Sequence, residues 1–599
     1  MEALIWTLRT AGGFALSAPF IHSVLLLALM CWDFLFLTPR ALWLRVLHGA
    51  RGVRPWTPPA ADTLPAIVVV IPSMMRADDE LYGMFSTVES VVHNGYPSTL
   101  YVVLTIDGMA DHPERCQRLR DWAGQRSFGE QVHVHVTGTP DRRGKPMAIE
   151  HAMQHLQSLV DRGVYAEFPS VYVSTDADAE LGMHALTRLV ERLVHRSSVT
   201  GWPPRAVAGN LHLRDEIQHH TLRSFFSVKG QLTLQIARHY LVSNIGRFNL
   251  RILPLCGVPG VLYATWSEIF FATPRFMGYL QTLRRSDVFR WWLGYAPPSF
   301  AASRAAPIPE LIAGDTDDTV LAFMAVIARF EHGKFSFEPP RTPAHALLGA
   351  LRSLFLDRAL RYEPEARVYT SSPTTIKGLF KQRRRWNTAR IEVTGRFRRA
   401  LWFHWTLAIP AVIILVMVLR SWLCGALLYF TIPKAVAGHA PAFTLFMVGY
   451  LCHLVVAIGM TIPALIIDGK RSSLRLLLAV PLAPIYALVF AYLTAVVGGV
   501  NDLLLRGNIT GFAPEKTLIR GGSSRVALYF RARRALSLAV RSVLIGDVPL
   551  GRFWFGWSET PWTPNGYEGW TTKRPARRIV PKHAVRDAAG ACWSSIHPK

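Results

Sequence analysis

The chain has 599 residues, half of them hydrophobic, and a formal net charge of +25. That length excludes a single ordinary domain, and the separation of Arg and Lys from long uncharged runs excludes a uniformly mixed soluble surface. Six scattered cysteines, without a Cys-x-x-Cys pair, argue against a disulfide framework or a structural zinc site.

Residues 14–37, FALSAPFIHSVLLLALMCWDFLFL, carry Asp33 as their one charge and are long enough to cross a bilayer. They read as an anchor within residues 1–38 rather than a cleaved signal, because no small-residue cleavage site follows. Arg40, Arg45, Arg51 and Arg54 then place the next segment in the cytoplasm. Residues 39–64 read as a basic, proline-rich linker, stiff over its GVRPWTPPAADTLP portion.

From residue 65 the pattern changes. Short β-branched runs (Ala66–Ile71, Leu100–Ile106, Val132–Thr137, Val171–Thr175) alternate with helical periodicity at 82–94, 144–160 and 183–196. Nearly all-apolar strands separated by helices predict a parallel sheet covered on both faces, here over 65–345. Ligands of such a domain bind at the carboxyl ends of its strands. Residues 346–400 read as amphipathic interface helices. Residues 401–500 read as three or four membrane spans, of which 441–467 and 476–500 carry no charge. A basic tail follows over 501–599. Its aromatic cluster, with Trp554, Trp557, Trp562 and Trp570, suits interfacial anchoring, and a sugar-stacking surface is the alternative. The basic excess fits anionic headgroups and phosphorylated substrate. No nucleic-acid motif is present, and no nucleic-acid partner is expected.

Four elements carry chemistry. Asp107 closes an apolar strand and opens into Gly108, where a carboxylate can accept from a base or ribose, or can simply cap a turn. Asp176 and Asp178 flank Ala177 at the close of the strand Val171–Thr175, and alternate residues share a face. Two close carboxylates repel unless a cation lies between them, and Mg²⁺ or Mn²⁺ bridging a diphosphate suits that geometry. A solvated acidic turn is the alternative. Gly314-Asp315-Thr316-Asp317-Asp318 precedes the helix-like Val320–Ile327, so these acids either favour the helix dipole or supply a base. Gln382-Arg383-Arg384-Arg385-Trp386 lies in a basic segment after Pro373. On a helix Gln382, Arg385 and Trp386 share a face that offers an amide, a phosphate-binding guanidinium and a stacking ring. Arg383 and Arg384 would point elsewhere, toward headgroups; a purely interfacial basic helix is the alternative.

Taken in order, Asp, Asp-x-Asp, an acidic cluster and Gln-x-x-Arg-Trp beside apolar spans resemble family-2 glycosyltransferases, in particular the processive cellulose, chitin and hyaluronan synthases and the alginate polymerase. The resemblance covers about residues 65–500 and includes Ile71-Pro72, Gly95-Tyr96-Pro97 and Arg143-Gly144-Lys145. It implies an α/β GT-A catalytic domain inserted between transmembrane helices, with the catalytic domain on the cytoplasmic face of a bacterial inner membrane. Carried over, Asp107, Lys145, Asp176, Asp178 and Arg385 would bind a nucleotide-sugar donor, UDP-linked by expectation. Asp176 and Asp178 would hold Mg²⁺ or Mn²⁺, Asp318 would be the base, and Gln382 and Trp386 would meet the acceptor. The implied partners are the growing polysaccharide, membrane lipids and export proteins. Two departures stand out: Asp317 replaces the usual Glu before the base, and Ile106 replaces a second Asp. A single transfer to a lipid acceptor, as in ceramide glucosyltransferases, is the alternative within this chemistry. A non-catalytic basic membrane protein is the alternative outside it.

Overall fold

The computed structural model describes residues 38–50, 59–60, 63–142, 144–196, 201–214, 227–248, 261–301, 317–331, 333–355, 359–371, 373, 375–408, scattered positions of 411–438, 440–468 and 471–496. The span expected at 14–37, Arg143, Gly314–Thr316 and the basic tail with its aromatic cluster lie outside the described residues, as do the side chains of Asp317 and Arg385.

Helix α1 (Thr38–Ala50) comes first. A regular alternation follows: β1 (Ile67–Ser73), α2 (Asp78–Val92), β2 (Leu100–Asp107), α3 (Pro113–Gly124), β3 (Val132–Thr139), α4 (Lys145–Asp161) and β4 (Val171–Thr175). Then come β5 (Ala179–Leu181), α5 (Ala185–Val194), β6 (Ala206–Leu213), α6 (Val228–Phe248), β7 (Leu262–Trp266), α7 (Ser267–Thr282) and α8 (Arg285–Trp292). The rest comprises α9 (Asp317–Ile327), the hairpin β8 (Arg329–Glu331) and β9 (Lys334–Ser336), α10 (Pro343–Phe355), β10 (Leu360–Thr370), α11 (Ile376–Phe397) and α12 (Ala440–Asp468).

Eight strands form one sheet in the order β3-β2-β1-β4-β7-β6-β10-β5. Strands β3, β2, β1 and β4 are parallel, as the apolar runs predict. Strand β1 shows why: Ile67, Val69 and Ile71 enter one core with α2 and α5, while Val68 and Val70 enter another with Ile149 and Met153 of α4. Alternation that is apolar on both sides needs cover on both sides.

The sheet as a whole is mixed, which corrects the all-parallel expectation. Strand β7 runs antiparallel between β4 and β6, and β5 runs antiparallel to β10. The cause lies in α6. It packs Ile236 and Tyr240 into the core under β6 and β10, and Leu234, Leu241 and Ile245 against Ala464 and Leu465 of α12 and Leu476 and Ala479 beyond it. The chain therefore re-enters the sheet from the end it left, and a reversed neighbour results. The sheet also continues past residue 345, since β10 pairs with β6 through a register shift between Tyr362 and Arg367.

Two further segments differ from expectation. Residues 38–50 form a helix rather than linker, because Ala41 packs into the cluster around α6 and α12. Residues 400–407, expected to begin a span, form two short 3-10 turns that bury Phe403 and Leu407 in a second core with Trp291, Phe323 and Phe397.

Among the described residues two helices are long and apolar enough to cross a membrane, Ala440–Asp468 and Leu474–Ala491. The second belongs to an irregular run over 471–496 that passes from 3-10 through α to π geometry. Polar contacts fasten this pair to α6. Gln235 Nε2 donates to the Ala479 carbonyl, and Arg238 Nη1 donates to Thr461 Oγ1 at 3.4 Å.

Candidate active site

The carboxyl ends of the parallel strands open where β1 hands the chain to β2 on one side and β4 lies on the other, the usual crevice of an open α/β sheet. Asp107 ends β2 there but is buried. Its Oδ2 accepts the Gly144 N–H at 2.9 Å, and its Oδ1 accepts from Thr139 Oγ1 at 3.3 Å. The carboxylate thus ties β2, the end of β3 and the entry to α4 together. Gly144 has φ +105, which a side chain rarely adopts. That turn brings Lys145 to the first helical position, with Pro146 beside it in the first turn.

Lys145 then reaches across the crevice. Its Nζ lies 2.8 Å from Asp176 Oδ1, both side chains being partly buried. The Asp176-Ala177-Asp178 turn follows β4 directly. It is held from α2, where Thr87 Oγ1 donates to the Ala177 carbonyl at 2.9 Å. On its other side Ser371 Oγ donates to Asp178 Oδ2, and Thr370 Oγ1 donates to the same oxygen at 3.4 Å. Solvent reaches Asp178, yet the surrounding protein desolvates it enough to raise its carboxyl above the usual range, and Asp176 raises it further. The Ser371 hydroxyl and the Arg214 charge pull in the opposite direction. Two neighbouring carboxylates repel when both are ionised, and a cation between them would relieve that repulsion.

Sequence reasoning missed the partners of this turn. Thr370 ends β10 and Ser371 follows it, and the LRYEPEARVYT alternation of that strand is interrupted by Pro364. Arg214 joins Glu180 at 2.6 Å, and Ser86 Oγ donates to the same carboxylate. Only β5 pairing with β10 brings these residues beside Asp178.

Asp318 stands in the first turn of α9, partly buried, and its Oδ1 accepts the Thr319 N–H at 2.7 Å and the Thr319 hydroxyl at 3.3 Å. An acid in the first turn also favours the helix dipole. Helix α9 packs against α11 through Phe323 and Phe397, whose ring centroids lie 4.6 Å apart.

Helix α11 begins four residues after Ser371, at the N-cap Thr375, whose Oγ1 accepts the Gly378 N–H at 3.0 Å. Trp386 is half-buried against the main core. Gln382 has its Oε1 buried without a hydrogen-bond partner among the described residues. Arg383 corrects the expectation that it faces headgroups. It is 6% exposed, donates to His239 Nε2 of α6 at 2.9 Å, and lies 4.4 Å over the Trp386 ring. The helix therefore turns a guanidinium–indole stack inward, with Tyr486 and Phe490 of the 471–496 run joining the same core.

No group of three or more His, Cys, Asp or Glu side chains able to hold a metal occurs among the described residues. The fit of a divalent ion therefore rests on the Asp176 and Asp178 pair. Two carboxylates suffice for Mg²⁺, which keeps waters and substrate phosphates as its other ligands.

No protein-family model and no curated sequence matches the chain. Solved structures do match it. One is the mannosyltransferase PcManGT from Pyrobaculum calidifontis in complex with GDP-Man and Mn²⁺, at 15% identity and a TM-score of 0.37, covering 74% of this chain and 98% of that one. Another is GalNAc-T7 with UDP, GalNAc and Mn²⁺, at 15% identity and a TM-score of 0.15, covering 25% of this chain and 24% of that one. Both neighbours are glycosyltransferases solved with Mn²⁺. At this identity and overlap, residue roles in the present chain rest on its own geometry.

Proposed function

We propose that the chain is a membrane-embedded, inverting glycosyltransferase of GT-A fold that polymerises a sugar from a nucleotide-sugar donor into an exported polysaccharide. The observation that carries this reading is the acidic turn at the end of β4, which meets Lys145 on one oxygen and Ser371 on another, four residues ahead of the Gln-x-x-Arg-Trp helix. The apolar helices packed on α6 and α11 support a catalytic domain seated directly on a membrane.

In this reading Asp107 shapes the floor of the nucleoside pocket by fixing the β3–α4 loop, which keeps Lys145 at the mouth. Asp176 and Asp178 hold Mg²⁺ or Mn²⁺, which when bound neutralises charge on the donor diphosphate. Asp318 takes the proton of the acceptor hydroxyl as that oxygen attacks the anomeric carbon from the face opposite the leaving group, which inverts the centre. Lys145 and Arg385 offset the charge that grows on the departing nucleoside diphosphate. Gln382 and the Trp386 ring present an amide and an aromatic face to the acceptor sugar.

The test is a panel of nucleotide sugars offered with Mg²⁺ or Mn²⁺ to the purified full chain, with nucleoside diphosphate release and product size followed together. Release with one donor, long polymer as product and loss of both in Asp318→Asn are expected. Release with only a short lipid-soluble product would replace polymerisation by single transfer to a lipid. No release from folded protein with any donor would overturn the catalytic reading.

A further inference from the structure

Helix α8 and the segment leading into α10 meet over a buried indole. Trp291 has no exposure, and its Nε1 donates to the carbonyls of Pro340 at 3.0 Å and Arg341 at 3.1 Å, just ahead of α10. Its neighbour Trp292 points outward at 59% exposure, with its ring 5.8 Å from that of Trp405. Helix α10 packs on the same 405–407 turn. The three elements therefore form one block, and the chain leaves it at residue 408 into the apolar stretch.

The outer side of this block is apolar where a soluble surface would be polar. Phe289 is 67% exposed and Leu293 61%, and both flank Trp292. Helix α10 turns Ala346 inward and leaves Leu347, Leu348 and Leu351 in the open. A helix against a soluble core does the reverse, placing leucine inside. Around these side chains Arg284, Arg285, Arg290, Arg341 and Arg352 are exposed. The nearby acids accept backbone N–H groups and form no ion pair with these arginines among the described residues. Asp287 accepts the Arg284 N–H at 2.8 Å, and Glu338 accepts the N–H of Phe300 at 2.9 Å and of Ala301 at 2.6 Å. Arg290 lies 5.2 Å over the Tyr295 ring and Arg352 3.9 Å over that of Trp202, and the five arginines outnumber the two acids. Aromatic and leucine side chains ringed by this net excess of arginine fit a surface that is apolar at one depth and anionic at the next.

We infer that the outer faces of α8 and α10 dock into the headgroup–acyl boundary of an anionic leaflet. Trp292, Leu293 and Leu348 enter the upper acyl region, and Arg285 and Arg290 meet lipid phosphates. The inference rests on the membrane-embedded reading above and adds to it a contact outside the spanning helices. It fixes the sheet at one tilt over the bilayer, because the block is attached to the second core through Trp291 and Phe403.

The experiment compares tryptophan fluorescence of the full chain and Trp292→Phe in phosphatidylcholine vesicles with and without phosphatidylglycerol. Quenchers are lipids brominated high on the acyl chain and aqueous iodide. The wild-type minus variant signal belongs to Trp292. A second difference, Val455→Trp minus wild type, reports the exposed face of α12. The expected result is a Trp292 signal that brominated lipid quenches and iodide does not, stronger with phosphatidylglycerol and weakened in Arg285→Glu/Arg290→Glu. If iodide quenches Trp292 while brominated lipid quenches the residue-455 signal, the docking face is wet; the inference falls while the spanning helix stands. If iodide quenches both, the membrane reading falls with it. A Trp292 signal shielded from both quenchers means that protein covers the face, from this chain or a second copy, and overturns the inference.

Discussion

His135 offers a stability test that does not depend on the proposed reaction. It lies half-buried on β3, with its Nε2 2.9 Å from the Tyr165 hydroxyl and its ring 5.7 Å from that of His155 on α4. Burial pushes its imidazole down to about 4, and the neighbouring His155 and His133 push in the same direction. The fold therefore favours the neutral ring. An unfolded chain takes up the proton near the ordinary value of about 6.5, so the stabilisation is complete above that pH and is lost as pH falls toward about 4. The displacement corresponds to about 3 kcal/mol over the whole window, and to about 2 kcal/mol between neutrality and about pH 5. Raised carboxyls such as Asp178 and Glu363 act with the opposite sign, because the fold favours their protonated form. The quantity to measure is therefore a difference: unfolding free energy at about pH 7.5 and about pH 5, for wild type and for His135→Asn. The wild type should lose about 2 kcal/mol more than the variant over that interval. Equal losses would refute the claim that burial of this ring sets the acid sensitivity.

Four more outcomes follow from the geometry. Asp318→Asn should lower turnover by about 10²- to 10⁴-fold with little change in melting temperature, read by nucleoside diphosphate release beside a thermal melt. Asp178→Asn should raise the Mn²⁺ concentration needed for half-maximal turnover, and an unchanged metal dependence would remove Asp178 from the cation site. Asp107→Ala should cost about 1–3 kcal/mol, because it leaves the buried Gly144 N–H without its acceptor, and urea unfolding measures that. Trp291→Ala should cost about 3–5 kcal/mol from the cavity it opens, seen in the same assay.

The parallel half of the sheet was legible because β1, β2 and β4 are fully buried and their sequences are β-branched on both faces. The other half was not. Strand β10 alternates Arg361, Glu363, Glu365 and Arg367 with Tyr362, Pro364, Ala366 and Val368, a strand period that Pro364 and the shortness of its apolar side obscure until β6 pairs with it. The direction of β7 is invisible in composition, because it follows from where α6 goes after β6. The acidic turn and the Gln-x-x-Arg-Trp helix could be found by spacing, and the join between them through Ser371 could not. Arg383 was misread for a similar reason. Helical spacing separates it from the Gln382 face, but a third element, α6, supplies His239 on the side it does occupy.

The fastening of α6 has a practical consequence for anyone wishing to study the catalytic domain alone. Gln235 and Arg238 are buried only because Ala479 and Thr461 lie over them, and Leu234, Leu241 and Ile245 share that cover. A fragment ending before residue 440 would bare this strip of helix along with its neighbouring leucines. Such a fragment would be expected to clump rather than dissolve, and replacing those leucines on α6 with polar residues is the repair to try first.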